Sequence, residues 1–130
     1  MPREQHSSSP SDVYKQIIDQ LVTETSYGVT EKLVVKEGGF SELSDNRVYN
    51  SFLQTLSIER RRTLAQLLHD ERVDAIHDVL AVLTWWASAR EVGFTFRGES
   101  MPVDLSGMGL HGDYIGRRDG WEWPKGSDLT

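Results

Sequence analysis

The sequence predicts an α+β fold, with a mainly helical body followed by a small C-terminal antiparallel sheet of two or three strands. Three observations lead there. Residues 40–92 hold neither glycine nor proline, whereas residues 93–130 hold eight of the eleven glycines and two of the four prolines. Both residues punctuate regular structure, one by permitting positive φ and the other by removing a backbone donor. Apolar residues before residue 91 recur at helical spacing, and from Val92 they alternate with polar ones as in a half-buried strand. The expected organisation is a disordered tail over 1–8 and a single domain over 9–130. Within that domain, residues 9–91 should be helical and 92–124 should be strand and turn.

Each element has a local reason. Ser9-Pro10-Ser11-Asp12 reads as a helix start, with Ser9 as cap, Pro10 at the first helical position and Asp12 at the third. Val13, Tyr14, Ile17, Ile18, Leu21 and Val22 follow at helical spacing, carrying the helix to about Ser26 before Gly28. Residues 29–35 fit either a short helix or a strand. A helix stopped by Gly38-Gly39 is preferred. Ser44 can cap the next helix, with Leu43 and Val48 spaced as a hydrophobic staple. Val48, Tyr49, Phe52, Leu53 and Leu56 give that helix one apolar stripe. Ser57 then caps a long helix from Ile58 to about Glu91. Beyond it, Val92–Arg97 and Met101–Asp104 read as strands around a turn at Gly98-Glu99-Ser100. Pro102 places the second strand at an edge. Residues 111–118 could add a third strand.

Composition narrows the function classes. The 130 residues carry 14 basic and 20 acidic side chains, a formal charge of −6. That balance argues against broad nucleic-acid binding, whose affinity comes from neutralising phosphates. Arg60-Arg61-Arg62 fans over three helix faces and makes no basic stripe. Cysteine is absent, which removes disulfides, thiolate zinc sites and cysteine nucleophiles and fits a cytoplasmic location. No apolar run approaches the ~20 residues that span a bilayer. Residues 1–12 lack the apolar segment of a secretory signal, and Met1-Pro2 excludes N-myristoylation. Glycines 107, 109, 112 and 116 do not form a phosphate loop.

Two segments could carry chemistry. On a helix, Asp70, Asp74, His77 and Asp78 share one face, and imidazole with carboxylate suits zinc, manganese or iron. A solvated acidic face is the plainer reading. The apolar arc of the same helix spans about 180° at 100° per residue, which implies packing on more than one side. Arg72 and His69 fall inside that arc. Either the helix breaks near 70–74 or Arg72 snorkels, which is the preferred pair of explanations, or a partly buried Arg72 has a carboxylate partner. In the second segment, a strand would point His111, Asp113, Ile115 and Arg117 to one face, where they could orient an anion. Trp85 and Trp86 point about 100° apart on a helix, so one core cannot bury both. Trp121-Glu122-Trp123-Pro124 could clamp the C-terminal region onto the body.

Ile76-His77-Asp78-Val79-Leu80, then a hairpin, then Leu110-His111, Asp113-Tyr114-Ile115, Arg117 and Trp123-Pro124, resembles a family of small uncharacterised bacterial proteins. The resemblance implies a bacterial, cytoplasmic protein with helices followed by a small antiparallel sheet. It supplies no catalytic assignment. The serine-rich start and Trp85-Trp86 lie outside the pattern.

Three functions are carried forward. The leading one is a non-enzymatic binding or interaction protein, a homodimer or the mate of another protein, with no membrane and no nucleic acid as partner. The second is a metal-dependent hydrolase using His77, His111, Asp78, Asp74 and Asp113, the only reading that brings in a cofactor, a divalent metal. The third is a small-anion binder using Arg72, Arg117 and His111.

Overall fold

Ser9 and Asp12 open the first helix together. The Asp12 amide donates to Ser9 Oγ at 3.1 Å, and the Ser9 amide donates to Asp12 Oδ2 at 3.4 Å. This reciprocal box satisfies amides that have no partner inside the helix, and α1 runs from Pro10 to Ser26. The computed structural model describes residues 8–26, 28–40 and 46–125. The expected tail lies almost wholly outside these residues, as do the Ser44 cap and Leu43 of the staple. The described chain is α+β with a helical body, in the order α1, α2 (Val29–Val35), α3 (Arg47–Gln54), α4 (Ile58–Ala89), β1 (Thr95–Phe96), β2 (Glu99–Ser100) and α5 (Gly109–Arg118). Backbone contacts divide it into two compact units, residues 24–75 and residues 1–23 with 76–130.

The unit of residues 24–75 is built on α2, α3 and the first part of α4. Val34, Leu53 and Val73 are its buried apolar residues. Asn50 ties α3 to the preceding loop twice, accepting from the Phe40 amide at 2.8 Å and donating to the Phe40 carbonyl at 3.0 Å. Arg61, from the arginine run, donates Nε–H to the Leu53 carbonyl at 2.9 Å. A cation there meets the negative end of α3, as a second donor to a carbonyl that also accepts from the Leu56 amide at 3.0 Å. Ser57 caps α4 as expected, accepting from the Arg60 amide at 3.2 Å.

α4 continues without interruption for 32 residues, so the break near 70–74 does not occur. Arg72 instead has the carboxylate partner that its position requires. Its guanidinium lies 3.1 Å from Glu31 Oε1 of α2.

The other unit packs the first part of α1, the second part of α4, the hairpin and α5. Tyr14, Ile18, Leu80, Leu110 and Tyr114 are its buried apolar side chains. The hairpin forms earlier than expected: β2 falls on residues expected to turn, and residues 101–104, expected as the second strand, lie outside the sheet. Its register is Thr95↔Ser100 and Phe96↔Glu99, with Arg97-Gly98 as the two-residue turn. Both turn residues have positive φ, +50° and +80°, as a type I′ connection demands. Arg97 is a poor residue for that region, which is why the dipeptide does not announce a turn. The amide of Met101 bonds the Phe94 carbonyl at 2.7 Å just beyond the ladder, and Pro102 lies outside the sheet.

Residues 111–118 are not a third strand. They belong to α5. The alternation of His111, Asp113, Ile115 and Arg117 misleads, because the buried residues are Leu110, Asp113 and Tyr114, at i, i+3 and i+4. Glycines 112 and 116 weaken the intrinsic propensity by ~1 kcal/mol each relative to alanine, but they allow close packing. A Cβ at Gly112 would lie 2.5 Å from Met108 Cβ, and one at Gly116 would lie 3.3 Å from the Trp121 ring.

Candidate functional site

The second part of α4 has two faces of different chemistry. One carries buried Leu80 together with Thr84, which meets α5. Thr84 Oγ1 donates to the Leu80 carbonyl at 2.9 Å and accepts from the Leu110 amide at 2.9 Å. Its third neighbour is His111 Nδ1 at 3.3 Å. The hydroxyl proton is already committed, so Thr84 accepts here and His111 donates from Nδ1. That tautomer leaves Nε2 of His111 with its lone pair.

His111 meets His77 of α4. Their rings pack edge to face with centroids 4.9 Å apart. His77 Nδ1 lies 3.3 Å from Asp78 Oδ1. A carboxylate only accepts, so His77 also carries its proton on Nδ1 and presents Nε2 as a lone pair when neutral. Gly109 makes room for this arrangement. It sits at φ +88°, and a Cβ there would lie 2.4 Å from His111 Cε1.

The remaining candidates are held elsewhere. Asp113 is fully buried and accepts from three donors: the Tyr14 hydroxyl at 2.5 Å, the Leu105 amide at 2.7 Å and the Ser106 amide at 2.7 Å. Tyr14 in turn accepts from the Asp104 amide at 3.2 Å. Burial first, and then the bond to Asp113, pushes the Tyr14 phenol far above its ordinary range, so it stays a donor. Arg117 makes a two-nitrogen contact with Asp19 of α1, Nε at 2.7 Å and a second nitrogen at 3.3 Å, and donates to the Trp121 carbonyl at 2.7 Å. Asp70 accepts from Gln66 at 2.9 Å. The Asp78 side chain is 81% exposed, and Asp74 is exposed.

The structure therefore unites His77 with His111 and Asp78 and gives Asp113 to the core. Arg72 and Arg117 are each matched by a carboxylate in separate units. Among the described residues, no group of three or more His, Asp or Glu side chains is placed to hold a metal ion. The residues that sequence reasoning missed are Thr84, Tyr14, Asp19 and Glu31. Polar residues inside apolar stripes were the available signal for Thr84 and Tyr14. Nothing local marks the two acids.

The opposite face of α4 carries no chemistry but much apolar surface. Val79 is 58% exposed, Val82 57%, Trp85 50% and Trp86 44%. Val79, Val82, Leu83 and Trp86 follow i, i+3, i+4, i+7, the spacing of a helix seam. The wide arc does bury one side, through Leu80, and leaves the other in water. The two tryptophan rings meet edge to face at 5.1 Å, with the Arg90 guanidinium 5.7 Å from the Trp85 ring centre. No helix is long and apolar enough to cross a membrane among the described residues.

A family model described as a family of unknown function (DUF6547) matches residues 7–125. No curated protein and no solved structure matches the chain.

Proposed function

The chain belongs to this family of unknown function, and we propose that it is a non-enzymatic, cytoplasmic interaction protein that self-associates through the outer face of α4. The observation that carries the reading is the exposed seam of Val79, Val82 and Trp86, flanked by Leu83 and Trp85. Contiguous apolar surface of this kind is uncommon on a monomer and marks contact sites. Tryptophan and arginine are also the side chains that most often anchor such contacts.

A second copy is the partner that fits. A two-fold contact uses one patch twice, so it needs no second surface. Antiparallel pairing of α4 with its mate opposes the helix dipoles and sets the Asp78 end of one helix beside the Arg90 end of the other. Sedimentation equilibrium from micromolar concentration upward tests this. The expected result is a dimer for the wild type and a monomer with unchanged helical circular dichroism for Val82→Glu and Trp86→Glu. A wild type that stays monomeric at every concentration ends the self-association reading.

A further inference from the structure

We propose that His77 and His111 form a two-imidazole site for a borderline divalent transition metal of the zinc, nickel or copper class, with water or a small exogenous donor filling the other positions. The proposal rests on how the two rings are held. Each Nδ1 faces an oxygen that accepts its proton, Asp78 Oδ1 for His77 and Thr84 Oγ1 for His111, both at 3.3 Å. Metal-ligating histidines characteristically donate their other ring proton in this way, which fixes the tautomer and leaves the remaining nitrogen basic. Two such rings come from different helices and touch at 4.9 Å.

The scaffold under them is fixed. The Leu110 amide bonds Thr84 Oγ1 at 2.9 Å, joining the start of α5 to α4, and the open space over Gly109 seats the His111 ring. The His77 side chain is 41% exposed, so an ion from solvent can reach its ring while Asp78 holds Nδ1. Imidazole favours zinc, copper and nickel over magnesium and calcium, which take oxygen donors. With two protein ligands the site differs from a closed four-ligand structural centre. No covalent or redox step is implied.

The test is calorimetric titration of the tag-free full-length chain with zinc, nickel and magnesium, alongside NMR of the histidine ring carbons. One equivalent of zinc or nickel should bind, with no heat from magnesium. His77→Ala and His111→Ala should each weaken binding by at least about tenfold, whereas His69→Ala leaves it unchanged. In the wild type, zinc should shift the ring signals of His77 and His111 together. That measurement holds even if a variant fails to fold. Binding equal in the wild type and the His77→Ala/His111→Ala double variant overturns the proposal, as do zinc-induced shifts confined to His6 or His69.

Discussion

Two polar nodes tie α5 to α1, and they differ in how much water reaches them. At the first, Asp113 is fully buried and Tyr14 is nearly so. The carboxylate receives one hydroxyl and two backbone amides, and the hydroxyl receives a third amide. At the second, Asp19 stays about two-fifths exposed, at 41% of its side chain, while it holds Arg117 and the Trp123 indole N–H at 3.0 Å. Arg117 also lies over the Trp123 ring at 5.2 Å. Both nodes contain an aspartate, an aromatic ring and a neighbouring backbone group. The buried node has no water to replace a lost partner, so each missing bond leaves an orphan and carries the desolvation cost. The wet node can exchange protein partners for solvent, and its charges are screened. The same residue type is thus structural glue in one place and a surface clip in the other.

Removing the buried acceptor should separate the two nodes most sharply. Asp113→Ala leaves the Leu105 and Ser106 amides and the Tyr14 hydroxyl without their acceptor, at ~1–3 kcal/mol each. Urea denaturation should therefore show a loss of at least about 3 kcal/mol, with loop 104–108 exchanging its amides faster. A loss as small as that of a surface substitution would mean that water does enter the node.

Tyr14→Phe removes one bond to Asp113 and the acceptor of the Asp104 amide. It should lower stability by about 1–3 kcal/mol at neutral pH. Its pH dependence is a finer probe. The ordinary tyrosine value is 10.0 and the folded phenol titrates well above it. Below pH 10 both folded and unfolded chains keep this proton. As pH rises past 10 the unfolded chain releases it first, so stability falls. The advantage of wild type over Tyr14→Phe should be full below pH 10 and shrink above it. An advantage that is flat across that range would place the Tyr14 hydroxyl in water.

The smallest effect belongs to the exposed node. Arg117→Ala removes a half-exposed ion pair and the stacking on Trp123, and should lower stability by about 1 kcal/mol, less in high salt. Quenching of Trp123 fluorescence by acrylamide should increase in the same variant. A loss matching that of Asp113→Ala would show that the clip is as dry as the core.

How far these features can be read from residues depends on how local their cause is. The Ser9–Asp12 box and the Ser57 cap lie within a few residues of the bonds they make, and each is legible. The His77–Asp78 neighbourhood is legible for the same reason. The contact of His77 with His111 joins residues far apart in the chain, so the pair could be named as candidates but not brought together. Asp113 is the instructive error. On an assumed strand it belongs with His111 and Arg117 as an anion-binding face. On a helix it turns inward beside Tyr114, away from the face that the strand reading assigned it. Arg72 shows the converse, since its partner Glu31 sits on a helix whose position no nearby residue encodes.

Sequence alone determined the helical body, the presence of strand after it, the absence of thiol chemistry and the wide apolar arc of α4, because propensity, capping and periodicity act over one or two turns of chain. Tertiary structure alone decided that the glycine-rich segment 109–118 is a helix. Packing of Met108 and Trp121 against Gly112 and Gly116, with Leu110, Asp113 and Tyr114 buried, outweighs the propensity cost of those glycines. It also decided which half of the α4 arc faces protein and which faces water, a choice that periodicity cannot make because both halves are apolar.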